Sequence, residues 1–277
     1  MIDLKIVDEF VEKVEKSRYQ TLTKSQETLM PEKLKIGVDL GTAYIGIVVL
    51  DNDNNPLACE LKAAEVVRDG LVVDYMGAIK IVRNLKEKLE SRLGAELKRA
   101  AIAVPSETSE ADSKTHKHVV EAAGMEVVNI LDEPSAANSV LNVTDGAVVD
   151  IGGGTTGISI FKNSELVRTA DEATGGTHLS LTIAGNYKID FKEAEKIKVD
   201  PERQSEVYSI VLPVLNKMGT IVKEKIGSND VNELYLVGGT SCLKGIEKAI
   251  AAETGIKTYK PYNPFLVTPL GIALNCI

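Results

Sequence analysis

At 277 residues the chain is long enough for two domains with cores of their own, and 44% hydrophobic with 26% charged residues is the make-up of an ordinary globular protein. A formal net charge of −8 excludes a nucleic-acid footprint, and no apolar run approaches membrane-spanning length. Met1-Ile-Asp-Leu-Lys5 lacks the basic region and apolar stretch of a leader, so a cytoplasmic address is expected.

Residues 2 to about 20 carry Val7, Phe10, Val11 and Val14 on one helical face and Asp8, Glu9, Glu12 and Lys13 on the other, which predicts an amphipathic helix. Two fates are open to its stripe: packing on a lobe of the protein, or targeting to a shell or cargo enzyme. A polar linker follows, closed by Pro31. Next comes a hairpin, Lys35 to Leu50, with Asp51-Asn-Asp-Asn-Asn-Pro56 as the turn beyond it. After Asp69-Gly70, the spacing of Ile79, Val82, Leu85, Leu89 and Leu93 predicts a long helix. A buried strand over 100–104, a helix over about 109–123, a strand over 127–131 and a helix through Ser139 complete the first half. The second half opens on another hairpin, Gly146 to Phe161, followed by a strand, a Gly175-Gly176 turn and a helix. A helix over about 206–225 then precedes the strand 234–237, the turn Gly238-Gly239-Thr240 and a helix beginning near Leu243. Alternating strands and helices argue for an α/β architecture, and the repeated hairpin for two similarly built lobes.

The hairpins carry the chemistry. Val38-Asp39-Leu40-Gly41-Thr42 and Val149-Asp150-Ile151-Gly152-Gly153-Gly154-Thr155 each end a β-branched strand on an Asp and pass through glycines and a threonine into a second strand. Such turns let successive backbone N–H groups converge on an anion. The Asp repels phosphate, so beside a phosphate its task is to hold Mg²⁺ or the metal's waters. Two such turns facing each other would clamp a polyphosphate, and the third, at Gly238-Gly239-Thr240, adds a nucleotide edge. Gly152 to Gly157 formally satisfies the dinucleotide fingerprint GxGxxG, but Ile158-Ser-Ile-Phe161 is a strand where that motif needs a helix, and no P-loop pattern occurs. Cys59, Cys242 and Cys276 are scattered and odd in number with no CxxC pair, which reads as three reduced thiols. His116 and His118 fall on different helix faces and read as solvated, while His178, just after a glycine pair, reads as a cap or a solvated residue.

In order, Val38-Asp-Leu-Gly-Thr42, Leu131-Asp-Glu-Pro-Ser-Ala-Ala137, Val149-Asp-Ile-Gly-Gly-Gly-Thr-Thr156, Val237-Gly-Gly-Thr240 and Val267-Thr-Pro-Leu-Gly-Ile-Ala273 cover nearly all of the chain from residue 35. They resemble the phosphate, connecting and adenosine motifs of the actin, heat-shock chaperone and sugar-kinase ATPase superfamily. Arg68 to Asp74 and Glu193 to Lys198 resemble bacterial actin-like proteins. Gly154-Thr-Thr-Gly157-Ile and Ala170-Asp-Glu-Ala-Thr-Gly-Gly176 are similar to the ethanolamine-utilisation J family, which belongs to the operon for ethanolamine breakdown in bacterial microcompartments.

The resemblance implies an actin-like ATPase fold with reduced outer subdomains: a helix and linker over 1–32, a first lobe over 33–145, a second over 146–266, and a final helix, 267–277, returning to the first. It implies ATP or ADP with Mg²⁺ as cofactors. Asp39 and Asp150 would hold the hydrated metal, and Glu133 would place the attacking water. Gly41, Thr42 and Ala43, with Gly152, Gly153, Gly154 and Thr155, would contact the phosphates, and Gly175 and Gly176 would bind the nucleotide as well. Glu195 and Lys198 would lie near the ribose, and Gly238, Gly239 and Thr240 against the adenosine. Gly157 stands where chaperones carry an Asp, and Cys242 where they carry an adenine-stacking arginine. Hydrolysis is therefore expected to be slow. Ile277 follows closely on the last motif, so a heat-shock type of peptide-binding domain is not expected.

The function so implied is an accessory factor, chaperone-like or reactivating, for ethanolamine ammonia-lyase or its microcompartment, in the cytoplasm or associated with that compartment, with a homo-oligomer open. A second reading is a structural adaptor or polymer-forming protein whose nucleotide is mainly structural. A third, a small-molecule kinase, lacks an evident acceptor-activating base, because Gly157 removes a carboxylate.

Overall fold

A computed structural model of the protein describes residues 2–19 and 30–277, so the expected linker lies outside the described residues except for Met30. Helix α1 (Leu4–Ser17) leads to β1 (Lys35–Leu40), β2 (Tyr44–Leu50) and β3 (Pro56–Ala63), then to a small hairpin of β4 (Val67–Arg68) and β5 (Leu71–Val72). Helix α2 (Tyr75–Leu93), β6 (Arg99–Val104), α3 (Glu110–Ala122), β7 (Glu126–Asp132) and α4 (Glu133–Leu141) complete the first half. The second half runs through β8 (Gly146–Ile151), β9 (Thr156–Lys162), β10 (Glu165–Glu172), α5 (Gly176–Tyr187), α6 (Phe191–Val199), α7 (Gln204–Ile226), β11 (Glu233–Val237), α8 (Ile246–Thr254), β12 (Lys257–Tyr259) and α9 (Val267–Leu274).

The two main sheets are built alike, with orders β3-β2-β1-β6-β7 and β10-β9-β8-β11-β12. In each, three antiparallel strands are followed by two parallel ones. Each duplicated hairpin thus sits beside a parallel strand, and both Asp-headed turns leave at the carboxyl end of the first hairpin strand. That is the edge where α/β sheets gather ligands.

Local chemistry marks the helix ends. Asp74 caps α2 through Gly77 N at 2.9 Å, and Gly94, left-handed at φ 66°, stops it. Asp132 caps α4 through Ser135 N at 3.0 Å, with Pro134 in the first turn.

One apolar cluster fills each lobe: Ile36, Val38, Ile47 and Ile102 under α2 and α3, and Ile158, Ile160, Leu234 and Leu236 under α5, α7 and α8. A third cluster joins the sheets. It contains Val48 and Leu50, Val148 and Tyr235, residues of α4 and α9, and Val7, Val11 and Val14 of α1. The stripe of α1 is therefore taken up inside the protein, with Phe10 packed at its margin. Helices α4 and α9 touch backbone to backbone, for a side chain at Gly271 would collide with the Ala136 carbonyl. Helix α9 also lies on β1, where a side chain at Gly37 would meet Pro269 O at 2.8 Å.

Two local expectations are corrected. The helix expected to begin near Leu243 starts only at Ile246, after a 3₁₀ turn over Gly239–Cys242, because Gly245 takes a left-handed φ of 88°. His116 is not solvated: it is buried, with Nδ1 3.0 Å from Asp112 O, while His118 is exposed. Burial holds the His116 imidazole below its ordinary pKa, with the Asp112 carbonyl and carboxylate acting against it. A depressed histidine favours the neutral form in the fold. Its contribution is thus complete above the unfolded pKa, near 6.5, and is lost as pH falls through the folded value. Urea melts between pH 7.5 and 5 should show the stability difference between wild type and His116→Gln moving against wild type as pH falls below about 6.5, because the raised carboxylates of the cleft contribute equally to both proteins. Parallel curves for the two proteins would remove His116 as a cause.

Candidate functional site

The two Asp-headed turns meet across a cleft of about 300 Å³ between the sheets. That volume is at the lower end for small-molecule sites. Of the residues singled out in the sequence, Asp39, Gly41, Thr42, Ala43, Glu133, Asp150, Gly152, Gly153, Gly154, Thr155, Glu195, Lys198, Gly238, Gly239 and Thr240 all line it. They come from β1, the N-terminus of α4, β8, α6 and the end of β11, so only the packed sheets bring them together. Gly175 and Gly176 do not line the cleft. They stand behind the second turn, where the N–H of Gly176 donates to Gly152 O at 3.0 Å and the N–H of Thr177 to Gly153 O at 2.8 Å. His178 is the cap of this helix, its Nδ1 accepting from Gly175 N at 3.4 Å.

Contact between the turns is close. A side chain at Gly154 would come within 2.8 Å of Thr42 Oγ1 and 2.9 Å of Asp69 N, so the hairpin of β4 and β5 folds over the second turn. Val67 and Gly70 of that hairpin also line the cleft. Thr240 Oγ1 donates to Gly152 O at 2.7 Å and ties the third turn to the second. Lys198 Nζ donates to Glu195 Oε1 at 2.7 Å and to Gly176 O at 3.2 Å, and Glu195 accepts from Ser180 as well.

Several lining residues escaped the sequence reading. Tyr44 and Phe265 pack edge to face at 5.3 Å and give one wall an apolar surface beside Val199 and Cys242. Aromatic shelves suit a base, but neither residue belongs to a spaced motif. Thr268 Oγ1 donates to Asp150 Oδ2 at 2.5 Å, which leaves the other oxygen for the cleft. A threonine two residues into an apolar helix gave no such signal.

Acidic groups crowd one end of the cleft. Burial and the Asp150 charge push Asp39 up to about 7, and burial raises Asp150 to about 6 against the Thr268 hydrogen bond. Glu133 is held well above the ordinary carboxylate range by burial and by Asp150, Asp39, Asp171 and Asp132. Among the described residues no three His, Cys, Asp or Glu side chains form a ligand set complete in itself. Two carboxylates beside a glycine cradle nevertheless suit Mg²⁺, which keeps its waters and takes one or two carboxylates together with substrate phosphates. The residues present therefore fit a Mg-nucleotide. The three thiols are free, Cys59 and Cys276 buried and Cys242 exposed. No helix among the described residues is long and apolar enough to cross a membrane.

The family model described as MreB/Mbl protein matches residues 58–200, and that described as cell division protein FtsA matches residues 147–271. The ethanolamine utilization protein EutJ of Escherichia coli K12 is 39% identical over 254 residues, covering 91% of this chain and 90% of the relative. The crystal structure of EutJ from Carboxydothermus hydrogenoformans superposes with a TM-score of 0.90 at 47% identity, covering 98% of this chain and 99% of that one. MreB5 of Spiroplasma citri bound to ADP has a TM-score of 0.70 at 17% identity, over 87% of this chain and 95% of that one, a likeness of fold. On its sequence, its paired sheets and the cleft between them, the chain belongs to the EutJ family of ethanolamine utilization proteins and has the actin-like ATPase fold.

Proposed function

We propose that this protein is a Mg²⁺-dependent, ATP- and ADP-binding ATPase of low turnover that serves ethanolamine utilisation as an accessory factor, chaperone-like or reactivating, for ethanolamine ammonia-lyase or the assembly of its microcompartment. The observation that carries the nucleotide reading is the abutment of two Asp-headed glycine turns from two sheets on one cleft. In this reading bound Mg²⁺ supplies charge neutralisation between the phosphates and the protein. Asp39 and Asp150 hold it and its waters, the latter oriented by Thr268. Backbone N–H groups of Gly41 to Ala43 and Gly152 to Thr155 take the phosphates, and Glu133 orients the attacking water. Glu195 and Lys198 serve the ribose, and Gly238 to Thr240 the adenosine. Membership of the EutJ family supports the place in ethanolamine utilisation.

Because each lobe supplies one turn, ATP favours a closed cleft and its absence a more open one. A tenfold preference between the forms is worth about 1.4 kcal/mol, and a client that reads the closed form tightens ATP in return. Solution scattering of apo, ADP and ATP-analogue forms, with capture of ethanolamine ammonia-lyase under the same conditions, is the test. A smaller radius and stronger capture with the ATP analogue are expected. Identical curves with nucleotide-independent capture would leave a rigid adaptor as the better account.

A further inference from the structure

Gly157 stands where the chaperone pattern has an Asp, and the sheet places another carboxylate beside it. Asp150 on β8 is paired with Gly157 on β9, and Gly157 with Asp171 on β10. Residues directly opposite in antiparallel strands share a face, so the three form one row pointing the same way. Strand spacing puts the outer two roughly 10 Å apart at their backbones, with only a hydrogen atom between them. Asp171 leans into that space: its Oδ1 lies 3.5 Å from where a Gly157 Cβ would stand, and Pro134 Cγ closes the other side at 3.1 Å. Pro134 directly follows Glu133, so the leaning oxygen lies just behind the cleft-lining residue read as placing water.

That oxygen is buried and has no hydrogen-bond partner among the described residues. Lys225 does not neutralise it directly, for its Nζ is spent on the Asp171 backbone carbonyl at 2.9 Å and on Glu172 at 3.1 Å. The other charges that bear on Asp171 are mostly of its own sign: Asp150, Glu107 and Glu172. Burial and these neighbours push its carboxyl up to about 7. A buried, unpartnered carboxylate oxygen facing a row of acids wants a cation's water as its missing donor.

We infer that Asp171 supplies, from the neighbouring strand, the carboxylate that Gly157 lacks, and that it positions the water shell of the divalent cation bound with nucleotide. It is a positioning residue that acts through water and rests on the nucleotide reading above. Gly157 is then not a loss of function at that spot. It makes room for a side chain arriving from one strand further out.

The test is a titration of Mg²⁺ against the full-length protein at saturating ADP, read as melting temperature. Asp171→Asn should raise the Mg²⁺ concentration at half-maximal stabilisation about tenfold, the usual consequence of losing an outer-shell partner. Its melting temperature in EDTA without nucleotide should be no lower than wild type, because the amide removes a buried charge from among its own sign. Moving the acid inward, in Gly157→Asp combined with Asp171→Gly, should return the midpoint toward wild type, with Pro134 yielding a few tenths of an ångström. Should the amide variant not fold, Asp171→Ser takes its place with the same expected shift. An unchanged Mg²⁺ midpoint in the folded variant overturns the inference while leaving nucleotide binding intact. A wild-type protein that ADP and Mg²⁺ do not stabilise overturns the nucleotide reading itself.

Discussion

Millimolar Mg-ADP or Mg-ATP should raise the melting temperature of the wild-type protein, and EDTA should cancel most of the gain. A ligand at one hundred times its dissociation constant stabilises the form that binds it by about 2.7 kcal/mol. For a chain of this size each kcal/mol moves the midpoint by about 2–4 °C, so a rise of roughly 5–10 °C is expected. The metal requirement follows from the charges. Asp39 and Asp150 are pushed up to about 7 and 6 by burial, and by each other's presence in the case of Asp39, before any phosphate arrives. Bringing a polyphosphate onto the adjacent turns adds like charge in a poorly solvated cleft, which is costly without a cation. Asp150→Asn keeps the shape but cannot hold the cation by charge. Its nucleotide-bound melting temperature should be the same with Mg²⁺ as with EDTA. A wild-type midpoint indifferent to Mg-ATP would sink the prediction.

The second large effect concerns turnover. Glu133 opens α4, capped by Asp132, and enters the cleft beside Asp39 and Asp150. Burial, then Asp150, Asp39 and Asp171, hold its carboxyl well above the ordinary range. Glu133→Gln keeps volume but replaces one acceptor oxygen with an amide donor, so the attacking water is no longer oriented as the carboxyl orients it. Hydrolysis of Mg-ATP should fall by about a hundredfold or more, while the ADP-induced rise in melting temperature stays at the wild-type value. Phosphate release in single turnover, measured beside the melts, separates chemistry from binding. Equal release by variant and wild type would take Glu133 out of the mechanism.

Much of this molecule is written locally. The β-branched runs ending on Asp39 and Asp150, each with a glycine two residues on and a second β-branched run beyond, read as hairpins and are hairpins. The duplication of that pattern announced the two similar sheets. Helix periods in Ile79 to Leu93 and in Val7 to Val14 were equally plain, because a stripe of period 3.6 needs no partner to be read. Partners are another matter. That α1 would bury its stripe where both sheets meet, rather than leave it for a shell, was decided by the apolar space between α4, α9 and the outer hairpin strands. His116 carried no sign of burial, since its helix is mostly polar around it and only the packing of α3 covers that face. Tyr44, Phe265 and Thr268 stand in the cleft because distant segments converge there, and no spacing in the chain expresses that convergence.

The row Asp150, Gly157, Asp171 shows the division most sharply. Set against the chaperone pattern it resembles, the sequence showed that one carboxylate was missing after the second glycine turn, at Gly157. Only the sheet decided what fills the gap, because register sets which residue of β10 lies opposite Gly157. The bulge between Leu166 and Arg168 sets that register, and a one-residue slip would turn Asp171 to the other face.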